Sequence, residues 1–146
     1  MNILLYRGTG LISKAIQFQT RSKYSHVAAQ HVNGEVIEAW HTGGVRKIPD
    51  PFYDHASTTL IDVYKVNEGF DAGRFWNLLE TQIGCDYDFK SVARFLTRKE
   101  PSKDKKWFCS ELICWAFNRV GRPILHGNPS ELSPRDVSKS PLLDFQ

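Results

Sequence analysis

Trp107-Phe108-Cys109-Ser110-Glu111-Leu112-Ile113-Cys114-Trp115-Ala116-Phe117 is the stretch on which the reading of this 146-residue chain turns. Phe108, Leu112, Ala116 and Val120 recur every four residues, which predicts one buried face of a helix. Gly121 stops that helix and Pro123 keeps it stopped. Cys109 then falls in the first turn, where unpaired backbone N–H groups and the positive end of the helix dipole converge. Such a position favours the thiolate, the nucleophilic form of cysteine. The competing reading is a small core residue, since free cysteines are usually buried.

The whole chain narrows the choice. Its length suits one domain, 1–146, with a real core. Hydrophobic residues make up 41% and charged residues 24%, the balance of a soluble globular chain. A net charge of +3 is too mild to argue for nucleic acid, and no nucleic-acid-reading motif is present. The first residues lack a basic segment followed by a long apolar run, and no run approaches the ~20 residues of a membrane span. Three cysteines, Cys85, Cys109 and Cys114, without a secretion signal point to reduced thiols and a cytoplasmic setting. Export by another route, or on a virus particle, stays open.

Ile3 to Tyr6 reads as a strand and Leu11 to Gln19 as a short amphipathic helix. Ser25 to Val32 and Glu35 to Trp40 read as a hairpin about Asn33-Gly34. Val45 to Ile48 is a third strand, Pro49 to Ala56 a connector, and Thr58 to Val66 a further strand. Asp71 caps a helix to Ile83, with Phe75, Leu78, Leu79 and Ile83 on one face and Gly84 after it. Asp86 to Leu96 reads as another short helix, and Lys99 to Lys106 as an exposed charged loop. The tail, with Pro123, Pro129, Pro134 and Pro141, wraps without a long element. Strands and helices are segregated, so the class is α+β.

A thiolate nucleophile needs a base and a group that orients the base. Of the five histidines, His26 opens a strand, where a side chain can be aimed; His126 sits in the tail beside Gly127 and Pro129 and is expected to be exposed. Glu38 is a carboxylate within an otherwise apolar strand, a placement that asks for a reason beyond facing solvent. Register separates two arrangements. A two-residue Asn33-Gly34 turn sets His26 opposite His41 and sends Glu38 to the other face. A three-residue loop, Val32 to Gly34, sets Glu38 opposite Ala28 and diagonally beside His26.

Ser25-His26-Val27, Val36-Ile37-Glu38-Ala39, Gly84-Cys85-Asp86-Tyr87-Asp88-Phe89 and Phe108-Cys109-Ser110-Glu111-Leu112, in that order, resemble the circularly permuted NlpC-type papain-like hydrolases. That branch includes YiiX-like proteins and, more distantly, lecithin retinol acyltransferase. The resemblance runs from about Ile3 to Asp136. It implies Cys109 as nucleophile, His26 as base, Glu38 as the orienting residue, and Tyr87 near the oxyanion with the Cys109 N–H as a further donor. It also implies a small antiparallel sheet packed on the nucleophile helix. Cys85 departs from the pattern, standing where relatives often carry a residue such as proline. The implied chemistry is acyl transfer on an amide, peptide or ester carbonyl through a thioester. Substrates of the family range from cell-wall peptides to lipid acyl groups.

Two rivals remain at this level. A zinc site on Cys109, Cys114 and histidines is disfavoured, because five residues turn a helix by ~500° and leave the thiols ~140° apart. No metal or other cofactor is expected. The other rival is a non-enzymatic binding module on the same fold. Lys90, Arg94, Arg98, Lys99, Lys103, Lys105 and Lys106 form a basic region, read as a solvated face, with peripheral contact to an anionic membrane or substrate as the alternative. Trp40, Trp76, Trp107 and Trp115 are read as core, and Cys85 and Cys114 likewise.

Overall fold

The computed structural model of the protein describes residues 1–67, 69–90 and 106–146. Its centre is a six-stranded antiparallel sheet. The strands are β1 (Asn2–Arg7), β2 (His26–Gln30), β3 (Val36–Trp40), β4 (Gly44–Ile48), β5 (Leu60–Val66) and β8 (Leu143–Phe145), in the order β4-β3-β2-β1-β5-β8. Around it lie α1 (Leu11–Thr20), α2 (Ala72–Glu80), α3 (Cys109–Arg119) and the short α4 (Pro134–Val137). The α+β class expected from the segregated pattern is the class found.

Alternation along the strands sends side chains to two unlike faces. Ile3, Leu5, Val27, Ala29, Ile37, Ala39 and Val45 pack against α2 and α3, contributing to one large core with Phe75, Leu112, Ile113 and Phe117. The Phe75 and Phe117 rings lie 4.5 Å apart where the two helices meet. Leu4, Tyr6, Ala28, Val36 and Ile48 form a smaller cluster on the other face. The connector between β4 and β5 reaches this second face, with the His55 ring stacked on Tyr6 at 4.3 Å. Among the described residues, no helix is long and apolar enough to cross a membrane.

Helix α3 is buried nearly all round, with Cys109, Leu112, Ile113, Cys114, Ala116 and Phe117 inside. It ends where Gly121 takes φ +74°, a left-handed conformation that glycine adopts without a Cβ clash, and Arg122 N–H returns to the Phe117 carbonyl. Asp71 caps α2 by accepting the Arg74 N–H at 2.9 Å. α2 stops at Glu80, however, so Ile83 lies on the following turn and is exposed rather than on the buried face.

The helix expected from Asp86 is corrected at its start. Asp86–Tyr87 is a strand, β6, pairing in parallel with β7 (Lys106–Trp107). The apolar spacing of a helix turn and the alternation of two strand residues are indistinguishable over so short a run. Residues 91–96 of that expectation lie outside the described residues. So do Arg94, Arg98, Lys99, Lys103 and Lys105; Lys90 and Lys106 are exposed, and Lys106 pairs with Asp86 at 3.6 Å. The tail does more than wrap: Ser133 and Asp136 form a reciprocal capping box at α4, and β8 adds a strand to the sheet edge beside β5. Of the tryptophans, Trp76 is buried, whereas Trp40, Trp107 and Trp115 are half-buried.

Gly44 ties β4 to the turn that leads into Tyr87. Its φ is +76°, and a Cβ there would meet the Cys85 carbonyl oxygen at 2.0 Å. That carbonyl accepts the Val45 N–H at 2.8 Å, and the Cys85 N–H donates to the Gln82 carbonyl at 3.0 Å. A proline at 85 would lose the second bond. Gly44→Ala combines a left-handed strain with a backbone clash, so it is expected to destabilise the fold by at least ~2 kcal/mol, read as a lowered urea midpoint.

Candidate active site

The thiol of Cys109 is set by two elements. Phe108 occupies the N-cap of α3 without a side-chain cap bond, so the first N–H groups of the helix stay available. The Cys109 side chain turns back onto its own N–H and that of Ser110, and also meets the Val27 N–H of β2. The third contact follows from sheet register. His31 N–H points to β3, bonding the Glu35 carbonyl at 2.8 Å, and Val27 lies four residues back on the same strand, so its N–H points the same way. But β2 and β3 pair only at Ala29↔Ile37 and Gln30↔Val36. Beyond that the strands part, and the thiol takes the place of the missing strand partner. Burial pushes the thiol up to about 12, against the pull of these three N–H groups, so the resting form is the protonated thiol.

The register of that hairpin is the one with a three-residue loop. Its pairs sum to 66, Gly34 takes φ +95°, and the Gly34 N–H bonds the His31 carbonyl. His26 and Glu38 consequently share a face. His26 Nε2 lies 2.7 Å from Glu38 Oε2. Across β3 and β4, Arg46 is the direct partner of Glu38 and donates from Nε and from a terminal nitrogen to Oε1, at 2.9 and 2.8 Å. His55 Nε2 adds a longer contact of 3.4 Å to Oε2. Glu38 has no solvent exposure. Burial pushes its carboxyl up, yet the hydrogen bonds and charges of His26 and His55 outweigh this and hold it well below the usual carboxylate range.

The structure thus brings His26 and Glu38 together, and it does not join either to Cys109 by a hydrogen bond. The link between the two parts is the peptide that connects His26 to Val27, whose N–H meets the thiol. Since Nε2 of His26 is held by Glu38, Nδ1 is the nitrogen left for any proton exchange with sulfur. His41 is not opposite His26; it lies past the end of β3, its ring 4.5 Å from Trp40. Tyr87 is buried beside the thiol, and burial together with the neighbouring Cys109 keeps its hydroxyl protonated.

A cavity of about 360 Å³ opens where β2 and β3 part. Leu11, Ile12 and Ile16 of α1 form one wall, and His26, Trp40 and Tyr87 line it as well. Cys109 is not on its surface. Trp40 accordingly lies among the charged and imidazole side chains rather than in the core: its ring touches His26 and His55 edge-on, and Arg46 lies over it at 4.9 Å.

Sequence reasoning misses Arg46, His55, Tyr6 and Trp40. Arg46 had a signal, because pairing Glu35–Trp40 with Val45–Ile48 across Gly43-Gly44 sets opposite charges on facing strands. His55 had none; it sits in a proline-bounded connector that only the folded chain returns to Glu38.

Because Glu38 titrates lower in the folded chain than in the unfolded one, its contribution to stability is present above about pH 4.3 and is lost as pH falls toward the folded value. Glu38→Gln is expected to cost about 3 kcal/mol at neutral pH by breaking the buried charge pairing. It should also flatten the fall in stability between about pH 5 and about pH 3, measured as urea midpoints of variant and parent across that range.

No protein-family model matches the chain, and no curated protein does. Among solved structures, the chain is similar to one described as the metalloprotein YiiX of Escherichia coli O157:H7, a DUF1105 protein, with a TM-score of 0.74 at 20% identity over 99% of this chain and 94% of that one. The two chains share one fold.

Proposed function

We propose that the protein is a thiol acyl hydrolase with Cys109 as its nucleophile. One observation carries the reading: a cysteine at the open start of α3 whose sulfur faces three backbone N–H groups, with a protonated tyrosine beside it. N–H donors gathered about one sulfur favour its thiolate as it forms, and the Cys109 N–H at the helix start lies where a developing oxyanion needs a donor. The family resemblance of the four motifs supports the same assignment.

In this mechanism His26 Nδ1 takes the thiol proton as sulfur attacks a carbonyl carbon. Approach of the imidazole to the sulfur accompanies that step. Nε2–H of His26 stays on Glu38, which Arg46 holds in place, so the imidazolium that forms has a fixed partner of opposite charge. The C–O or C–N bond breaks as His26 returns the proton to the leaving group. Water, deprotonated by the same nitrogen, then releases the acid from the thioester. Tyr87 and the Cys109 N–H serve the oxyanion in both halves.

Entry is through the cavity, and its wall must yield for the carbonyl to reach sulfur. Leu11, Ile12, Ile16 and Trp40 among the lining residues, with no lysine or arginine among the described ones, suit an apolar acyl portion. This favours a lipid-like or other apolar acyl group over a peptide bearing a free carboxylate.

Release of p-nitrophenol from esters of increasing chain length, beside an alanyl anilide, tests the reading. Cys109→Ser should abolish turnover, and Tyr87→Phe should lower kcat on the order of 10²-fold. In parallel, iodoacetamide labelling of the folded chain across pH should show Cys109 responding to His26→Ala. Turnover that survives Cys109→Ser, or a Cys109 indifferent to His26, would leave a binding module on this fold.

A further inference from the structure

We propose that His26 Nε2, His55 Nε2 and Glu38 Oε2 form a binding site for one divalent transition-metal ion of the zinc class. We further infer that an ion held there switches the thiol site off; this second part rests on the thiol hydrolase reading.

One donor atom from each residue lies within 4.8 Å of those of the other two, and both Nε2 atoms face Oε2, a spacing that small side-chain rotations convert into coordination of a single ion. Two imidazoles and one carboxylate are a donor set suited to zinc and its neighbours rather than to calcium or magnesium. All three are sequestered: Glu38 is fully buried and the His55 side chain is 4% exposed. The outer contacts are those that orient ligands. Arg46 occupies Oε1 through two donors and leaves Oε2 to the histidines. The Arg46 charge is itself offset by Asp54 at 2.9 Å. Tyr6 stacks on His55, lies 5.1 Å from the His26 ring, and carries a buried hydroxyl with no hydrogen-bond partner among the described residues. Hydrogen bonding alone holds His55 weakly here, because its contact to Glu38 is long at 3.4 Å against 2.7 Å for His26.

The sequence gives no expectation of a metal, because His55 lies in a connector without ligand spacing to His26 or Glu38. The site also contains neither Cys109 nor Cys114, so it differs from the cysteine-based zinc site weighed on sequence.

The coupling to the thiol follows from the two nitrogens of one ring. An imidazole ligated through Nε2 carries its proton on Nδ1. In the hydrogen-bonded state Nε2–H points to Glu38 and Nδ1 is the acceptor. When an ion replaces that hydrogen bond, the neutral ring moves its proton to Nδ1, and the nitrogen assigned to take the thiol proton is filled.

Calorimetric titration of Zn²⁺ into chelator-treated Cys109→Ser protein decides the first part, since that variant removes the nucleophile and leaves the donors. One ion per chain is expected, and His55→Ala should weaken binding at least ~10-fold. Ring-nitrogen NMR of the same protein should show both Nε2 resonances shifting on zinc with Nδ1 protonated, a readout that does not depend on a folded alanine variant. Absence of saturable binding, binding indifferent to His55→Ala in a variant that still folds, or coordination through Nδ1 would overturn the site. In the parent protein, zinc should suppress ester release and a chelator restore it. Binding by the NMR test without suppression would retain the site and overturn its control of the thiol. Loss of the hydrolase reading itself would show as no Cys109-dependent turnover, with zinc binding unaffected.

Discussion

An ionised carboxylate with no access to water has to be neutralised from within the fold, and Glu38 is that group here. Meeting the requirement draws in three elements. β4 supplies Arg46 by direct cross-strand pairing, β2 supplies His26 through the offset of the three-residue loop, and the β4–β5 connector returns to supply His55. The second face of the sheet is therefore not a plain apolar layer. Its small cluster of Leu4, Tyr6, Ala28, Val36 and Ile48 shares that face with a charged centre.

The other half of the site depends on a place where the sheet stops pairing. β2 and β3 remain bonded near their loop and separate toward His26, which leaves the Val27 N–H without its strand partner. A buried N–H in that position needs an acceptor. The Cys109 sulfur provides one, and in doing so the first turn of α3 is held against the backbone of β2. The same gap opens the cavity between α1, Trp40 and Tyr87. Strand separation thus accounts for both the seating of the thiol and the cavity with one local change.

Much of the architecture was legible because it rests on short-range rules. The α3 helix followed from four-residue spacing and Gly121, and the cap of α2 from Asp71. The hairpin followed from Asn33-Gly34, although its register stayed open between two loop lengths. The error at Asp86 arose because two residues cannot establish a period, and because the partner strand, Lys106–Trp107, lies twenty residues away. β8 was missed for a similar reason: three tail residues gain strand character only from the exposed edge of β5.

The sequence by itself determined which chemistry is available: a cysteine at a helix start, a histidine and a carboxylate on neighbouring strands, and a tyrosine after Gly84. The cysteine and the strand residues depend on residues close in the chain, where periodicity and turn type act directly, and the tyrosine rests on the resemblance of its motif. Tertiary structure alone decided that Glu38 is shared among His26, His55 and Arg46, and that the thiol meets a strand amide rather than an imidazole. Both outcomes depend on long-range packing and on the point at which two strands part. Apart from the Arg46 pairing, neither leaves a local pattern, because the energy that selects it comes from burying groups that the sequence keeps far apart.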